Sequence, residues 1–189
     1  MSNKKTAVID FFSEITEHSA QRLISVVTES ILALESNEII IRLSSCGGKL
    51  SSAFSVYNFL RLIDIPLTIY NTGNVESSAI LLYLAGDTRI AVPHSKFLIR
   101  PLNWTFESGP VYIPSLKEAL ISLDYDARRY TDIFNERTSG AEKPIDISNC
   151  LYSETIIIGT DTARSCGITT ADFSTYTLPV KANHAWIVE

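Results

Sequence analysis

Two junctions between a strand pattern and a helix pattern constrain the fold of this chain most strongly. The first spans residues 39–60 and reads IIIRLSSCGGKLSSAFSVYNFL, in which a β-branched run is followed by two glycines and an apolar helix pattern. The second spans residues 73–86 and reads GNVESSAILLYLAG. Glycine and serine at such positions allow the tight turns that connect a buried strand to the next helix. The two junctions therefore predict a layered α/β fold.

Apolar residues elsewhere in the chain follow the same alternation of helix and strand. A stripe at helical spacing predicts a first helix over about Ser19–Glu35, and Ile39–Ile41 follows as a buried strand. A second helix is predicted over Ser51–Ile63 and a further strand over Leu67–Asn71. The chain has 189 residues, of which 46% are hydrophobic, and this predicts a single domain over 1–189 with a core of its own.

Ser77 follows the strand predicted over Leu67–Asn71 and precedes an apolar helix, a position that suits a nucleophile. Unpaired backbone N–H groups at the start of a helix favour a developing alkoxide or oxyanion. Gly47 and Gly48 end the other strand, where their amides are expected to face Ser77 across the sheet edge. This arrangement indicates an acyl-transfer site. A structural interpretation also fits, in which Ser77 or Ser78 caps the helix and the glycines form a tight turn.

The order and spacing of these runs resemble the ClpP family of protease subunits and, more distantly, the ClpP/crotonase superfamily. The resemblance begins near Ala7, continues through RIAVPHSKFLIRP and TARSCGITTAD, and ends at about Asp172, so that the tail 173–189 lies outside it. It implies a ClpP/crotonase-like layered fold of repeated ββα units with a long handle-type helix, and it implies that Ser77 is the nucleophile. The oxyanion donors that the resemblance implies are the amides of Gly47, Gly48 and Ser78.

The other two members of the catalytic triad that the resemblance implies are absent. Arg100 stands where the family has its catalytic histidine, in the run PHSKFLIRP, and Thr155 stands where the family has its aspartate. Arginine keeps its proton in proteins and therefore does not act as a general base. The sequence predicts a ClpP-like subunit that is catalytically impaired or serves as a scaffold.

Two other functions are consistent with the same residues. An active serine endopeptidase of the Ser-Lys type, known among related signal-peptide peptidases of the superfamily, would use Lys96 or Lys117 as its base and a peptide as its substrate. A crotonase-type acyl-CoA enzyme would use Glu76 as acid or base and the glycine pair to hold a thioester enolate. A further hypothesis is that Arg100 forms a salt bridge with Glu76 or Glu154 and locks the site.

A long amphipathic helix is predicted from Leu116 to Phe134. Its apolar stripe, with alternating spacings of four and three, consists of Leu116, Leu120, Leu123, Ala127, Tyr130 and Phe134. The resemblance identifies this helix as the handle through which two rings meet, and it implies a homo-oligomeric ring or a mixed ring with a ClpP-like paralogue. Packing of the stripe within its own domain is the alternative. The tail 173–189 is expected to add a strand or to dock on a neighbour.

Charge and composition exclude several other classes of protein. The net charge is −5 and the basic residues are scattered, which argues against nucleic-acid binding. No run approaches the roughly 18 apolar residues that span a bilayer, and the N-terminus lacks the apolar segment of a signal peptide, so a cytoplasmic protein without membrane contact is predicted. Because the chain also lacks a GxxxxGK phosphate-binding loop, ATP-driven unfolding would need a separate ATPase partner.

The three cysteines are far apart in the chain and have no neighbouring histidines. Cys46, Cys150 and Cys166 are therefore predicted to be free thiols, with neither a disulfide framework nor a zinc site. Cys46 is expected to be a small residue of the core. No metal and no cofactor is implied by the sequence.

Overall fold

One sheet forms the centre of the molecule. The computed structural model describes residues 4–175 and 184–188, and within these residues seven strands share the sheet in the order β6-β5-β3-β2-β1-β7, with β4 also paired to β3. Strands β1 to β7 span Thr6–Phe11, Glu38–Ser45, Leu67–Glu76, Thr88–Ala91, Lys96–Ile99, Ile156–Gly159 and His184–Val188. All neighbouring strands are parallel except β5 and β6, which are antiparallel.

Strands β1, β2 and β3 form the buried centre of the sheet. All six residues of β1 are buried, and so are Ile39, Ile40 and Ile41 of β2. The parallel register places Ile39 opposite Ala7 on one side and Leu67 on the other. Parallel strands that are covered on both faces typically have such unbroken apolar sequences. The strand predicted over Ile39–Ile41 is therefore the middle of β2.

Helices cover the sheet. Within the described residues, α1 to α6 span Glu17–Leu32, Leu50–Leu62, Ala79–Leu84, Ile113–Arg137, Ser148–Tyr152 and Thr160–Ser165. Helix α1 begins earlier than the predicted Ser19 because Thr16 and Ser19 form a capping box: the Thr16 hydroxyl accepts from the Ser19 amide at 3.0 Å, and the Ser19 hydroxyl accepts from the Thr16 amide at 2.9 Å. Helix α3, which follows Ser78, is buried along its whole length and contacts α2, β3 and α4.

Strand β3 extends farther than the sequence predicted. The apolar pattern ends at Asn71, yet the strand continues to Glu76. Its first half pairs with β4, and its second half pairs with β5, with Glu76 opposite Leu98. The Asn71 side chain joins the two halves, because it donates to the Lys96 carbonyl at 2.9 Å and accepts from the Gly73 amide at 3.1 Å. The extension brings Ser77 beside the end of β5.

Helix α4 begins at Ile113, before the predicted Leu116, and only its C-terminal half packs closely on the rest of the domain. Ala127, Tyr130 and Phe134 of the predicted stripe are buried, as is Ala119. Five large residues of its N-terminal half are between 50% and 69% exposed, and we call them the exposed face of α4: Ile113, Leu116, Leu120, Ile121 and Tyr125. The alternative in which the stripe packs within its own domain therefore does not hold for Leu116 and Leu120.

The end of the chain contributes the outermost strand, β7. It pairs in parallel with β1, with Trp186 opposite Ile9 and Val188 opposite Phe11. Of the predicted tail 173–189, the residues 176–183 and 189 lie outside the described part of the chain. None of the described helices is both long enough and apolar enough to cross a membrane.

Candidate active site

Ser77 lies in a strained turn between β3 and α3. Its backbone has φ 51°, in the left-handed region that residues other than glycine seldom occupy. The Ser77 amide donates to the Leu98 carbonyl at 2.8 Å, and the Ser77 carbonyl accepts from the Tyr130 hydroxyl at 2.8 Å. Its own hydroxyl has no hydrogen-bond partner among the described residues. The turn therefore presents an unengaged serine hydroxyl on a backbone that is held from both sides.

Gly47 allows the segment after β2 to approach the turn between β3 and α3. It has φ 90°, and a Cβ at this position would lie 2.8 Å from the Glu76 carbonyl oxygen and 2.9 Å from Ser77 Cβ. No other residue type fits without moving the serine turn. The Gly47 amide, which was predicted to be an oxyanion donor, donates to the Ser45 hydroxyl at 3.2 Å.

Gly48 is held against Ile15 on the other side of the turn. It has φ 143°, and an added Cβ would lie 2.3 Å from the Ile15 carbonyl oxygen. The Gly48 carbonyl accepts from the Ser78 hydroxyl at 3.1 Å, which links the glycine pair to the start of α3. Its amide has no partner among the described residues. Of the two glycine amides, only that of Gly48 remains unengaged by the protein.

Arg100 follows the end of β5, beside the turn. Its Nη2 donates to Glu76 Oε2 at 2.7 Å, and Lys96 Nζ lies 3.2 Å from Glu76 Oε1. Side chains alternate along a strand, so Lys96 and Arg100 lie on the same face of β5. The Glu76 side chain is only 12% exposed, and both of its carboxylate oxygens are engaged. The hypothesised salt bridge of Arg100 is thus present with Glu76, and none with Glu154 occurs among the described residues.

Thr155 is exposed and precedes β6. The antiparallel register pairs Ile99 with Ile156, so continuing it by one residue brings Thr155 opposite Arg100. The two positions that the resemblance assigned to histidine and aspartate are therefore neighbours across β5 and β6. His18 and His94 are exposed, and neither lines the clefts around Ser77.

Two clefts meet at Ser77. The smaller has a volume of about 380 Å³ and is lined by Glu14, Cys46, Gly47, Gly48, Ser77, Arg100 and Asn103. The larger has a volume of about 610 Å³ and shares Gly48, Ser77 and Asn103 with the first. Leu102, Trp104 and Leu123 are among its apolar residues, and Asp126 lies in its wall. The segment 101–112, which precedes α4 and supplies part of this wall, forms neither a helix nor a strand.

The structure corrects one prediction at this site and adds residues that the sequence did not indicate. Cys46 was expected in the core, but it is exposed and lines the smaller cleft because β2 ends at Ser45, before it. Tyr130 is fully buried on α4 and reaches the Ser77 carbonyl, and burial raises its pKa, so the hydroxyl remains a donor. No local pattern predicted this contact, because 53 residues separate the two partners.

The arrangement offers a nucleophile without an evident base. A serine hydroxyl needs an adjacent group that accepts its proton. Arg100, which lines the same cleft, is a donor only, and the Glu76 carboxylate is ion-paired on both oxygens. Among the described residues, no group of three or more histidine, cysteine, aspartate or glutamate side chains is placed to hold a metal ion.

Comparison with known proteins agrees with this fold. The family model described as Clp protease matches residues 3–114. The ATP-dependent Clp protease proteolytic subunit 1 of Chlamydia muridarum is 33% identical over 92 residues, which are 47% of this chain and 48% of that protein. The chain thus spans about half the length of this relative. Proteolytic subunit 3 of Rhizobium meliloti is 24% identical over 144 residues, covering 75% of this chain and 70% of the relative.

Two solved structures share the fold. A ClpP1 variant from Listeria monocytogenes superposes with a TM-score of 0.72 at 19% identity, covering 88% of this chain and 90% of the other. A peptidase from Plasmodium falciparum superposes with a TM-score of 0.70 at 15% identity, covering 88% and 94%. The structural likeness establishes the ClpP fold, and the family model covers more than half of the sequence. The chain therefore belongs to the Clp protease family.

Proposed function

We propose that this chain is a ClpP-type proteolytic subunit whose peptidase chemistry is impaired and which serves as a structural partner in a ring. The observation that carries the proposal is the pairing of Arg100 with Glu76 directly beside Ser77. Arg100 occupies the position assigned to the catalytic histidine, and Thr155 occupies that of the aspartate. The site thus has a nucleophile position and an unengaged Gly48 amide, but among the described residues no histidine lines the clefts around Ser77 to act as its base.

The charges around Ser77 support the same conclusion. Glu76, the carboxylate next to Ser77 in the sequence, is ion-paired on both oxygens and is therefore a poor general base for the serine. Glu76 is held by Lys96 and Arg100, so the three side chains form a closed ionic cluster rather than a proton relay. Such a cluster stabilises the turn and leaves the serine proton in place.

An active serine endopeptidase is the second candidate, and the Ser77 turn favours it. The positive φ and the unengaged hydroxyl are typical of a nucleophile on a sharp strand-to-helix turn. The base for a Ser-Lys mechanism is harder to identify, because Lys96 is paired with Glu76 and Lys117 is exposed on α4. The crotonase-type alternative has less support, since its acid–base residue Glu76 is ion-paired on both oxygens.

We also propose that the chain assembles through the exposed face of α4, as a homo-oligomer or in a mixed ring with a ClpP-like paralogue. Five large, mostly apolar side chains in one contiguous helical segment are unusual on a surface that stays in water. The curated relatives are named as proteolytic subunits of an ATP-dependent protease. A separate ATPase partner for this chain belongs to the same proposal.

A fluorophosphonate probe, read by intact mass, tests the proposed function. We expect no labelling of the wild-type protein. The double variant Arg100→His with Thr155→Asp restores a base and its orienting carboxylate on neighbouring strands, so we expect it to gain labelling. Adding Ser77→Ala to the double variant must abolish that gain, which ties the reaction to Ser77.

Labelling of the wild-type protein that Ser77→Ala removes would identify an active serine enzyme and overturn the proposal. Thermal stabilisation of the wild-type protein by an acyl-CoA, absent in a Glu76→Gln variant, would instead support the crotonase-type activity. If the wild-type protein shows neither labelling at Ser77 nor stabilisation by an acyl-CoA, the proposal of a catalytically impaired subunit stands.

A further inference from the structure

The smaller cleft beside Ser77 contains hydrogen-bond donors that the protein does not use. The Gly48 amide and the Ser77 hydroxyl have no partner among the described residues. The Arg100 guanidinium has five N–H donors. Among the described residues, only its Nη2 atom has a hydrogen-bond partner, which is Glu76. Its Nε is buried and unpaired. Asn103 adds a side-chain amide to the same wall. A group of donors without acceptors is suited to an anionic ligand.

The charges of the cluster define the ligand further. Lys96 and Arg100 carry two positive charges and Glu76 carries one negative charge, which leaves one positive charge in excess. This excess beside the cleft favours an anionic ligand. Glu14 also lines the cleft, but it is exposed, so solvent and salt screen its charge.

The larger cleft identifies the rest of the ligand. It shares Gly48, Ser77 and Asn103 with the smaller cleft, and it continues past the apolar side chains of Leu102 and Trp104. A ligand with its anion in the smaller cleft therefore has a partly apolar channel next to it. A peptide that ends in a free carboxylate, with an apolar last side chain, has this combination of groups.

We propose that the two clefts bind the C-terminal carboxylate of a peptide. The carboxylate oxygens accept from the Arg100 guanidinium, the Gly48 amide and the Ser77 hydroxyl, and the last side chain lies in the larger cleft. The inference rests on the proposed function, because a site without a base holds a peptide end instead of cleaving the chain. Arg100 then acts as the recognition group at the position where the family has its histidine.

A matched pair of peptides tests this inference on the whole 189-residue chain. Both carry an N-terminal fluorescein and end in leucine, one as the free acid and the other as the carboxamide. Charge-assisted hydrogen bonds to a carboxylate are absent for the amide, so we expect the acid to bind about tenfold more tightly, by fluorescence anisotropy. Arg100→Gln is expected to remove this preference. Arg22→Gln, which removes an exposed cation of α1, is the control and should keep it.

Equal affinities of the acid and the amide for the wild-type protein overturn the inference, as does an unchanged preference in Arg100→Gln. Absence of binding by either peptide overturns it as well. The wild-type ratio decides the matter even where Arg100→Gln fails to fold. Failure of the proposed function would be seen differently. The wild-type protein would then be labelled by the fluorophosphonate, or it would cleave peptides, as detected by mass spectrometry. Neither result depends on the ratio of the two peptide affinities.

Discussion

The conformation of Ser77 is set by contacts that its neighbours make. Gly47 permits the approach of the β2 turn, Tyr130 and Leu98 hold the Ser77 backbone, and Glu76 is fixed by two cations. A left-handed backbone at a serine costs on the order of 1 kcal/mol, so it persists because these contacts outweigh it. We therefore expect substitutions at this turn to change the free energy of unfolding by more than the size of the replaced side chain suggests.

Replacement of Gly47 by alanine separates backbone strain from steric clash. Gly140 has a similar φ, 83° against 90°, but nothing lies within 4 Å of an added Cβ there. Both changes suffer the left-handed strain of about 1 kcal/mol, whereas Gly47→Ala also forces the Ser77 turn to move. We expect Gly47→Ala to lower the free energy of unfolding by about 2 kcal/mol more than Gly140→Ala, by urea denaturation. Equal losses would contradict the close approach.

A double-mutant cycle measures the coupling between Glu76 and Arg100. We expect Glu76→Gln and Arg100→Gln to show a coupling of about 1 kcal/mol, because the carboxylate is largely buried while the guanidinium is partly exposed. Lys96 still pairs with Glu76 in the Arg100 variant, which limits the loss. Additive effects in urea denaturation would show that the pair does not lock the site.

At the scale of the elements, α4 joins the active-site turn to the molecular surface. Its buried half contacts α3 and carries Tyr130, whose hydroxyl bonds to Ser77. Its N-terminal half carries the exposed face of α4. One helix therefore contacts both the nucleophile turn and the surface proposed for assembly.

The Tyr130 hydroxyl is expected to stabilise the Ser77 turn. Tyr130→Phe keeps the ring in the core and removes one buried hydrogen bond, so the free energy of unfolding should fall by about 1 kcal/mol. Tyr112→Phe, at a residue that is 70% exposed, serves as the control and should change it by less than about 0.5 kcal/mol. Indistinguishable chemical denaturation curves for the two variants would contradict this role.

If subunits assemble through the exposed face of α4, charged side chains introduced on that face should weaken the oligomer. Leu120→Arg and Ile121→Arg place cations at residues that are each 69% exposed, so folding of the subunit should be little affected. Burial of these cations in an interface is costly, and we expect sedimentation velocity to show smaller species than for the wild type. Gln21→Arg, on the surface of α1, provides the matched control. An unchanged sedimentation profile of the α4 variants would exclude this surface.

At the scale of the whole molecule, a buried arginine joins segments that are distant in sequence. Arg89 of β4 is 2% exposed and donates to the carbonyls of Gly86, Arg137, Gly167 and Ile168 at 2.7 to 3.2 Å. Burial, and next the neighbouring Arg137, lowers the pKa of Arg89 to about 10, so it remains charged at neutral pH. These bonds tie β4 to the end of α4 and to the segment after α6.

Removal of this arginine is predicted to destabilise the entire domain. Arg89→Met leaves the carbonyls of Arg137, Gly167 and Ile168 without their donor, whereas Gly86 keeps its bond from Arg137, and we expect a loss of at least about 3 kcal/mol in the free energy of unfolding. Arg61→Met is the control, because Arg61 is half-exposed and bonds to Ala85 and Asp87; its loss should stay near 1 kcal/mol. Equal melting temperatures of the two variants would contradict the central role of Arg89.

Local patterns in the sequence determined the order of the elements in the first half of the chain and the residues at the turn. The apolar runs predicted α1, α2 and the middle of β2, because buried strands and helices each have their own periodicity. The two small-residue junctions indicated the fold, which the comparisons confirm, and they singled out Ser77 and Gly48, whose hydroxyl and amide the structure leaves unengaged. The predicted salt bridge between Arg100 and Glu76 is likewise present.

Only the tertiary structure decided which backbone and side-chain groups around Ser77 have hydrogen-bond partners and which side chains are exposed. The Gly47 amide is bonded to Ser45, and Cys46 is exposed. Leu116 and Leu120 of the α4 stripe are exposed, and Tyr130 reaches Ser77 across 53 residues. Strand β3 continues past its apolar pattern because β5 pairs with it. A sequence pattern carries local preferences and periodicity, whereas pairing, burial and hydrogen-bond partners depend on segments that meet only when the chain folds.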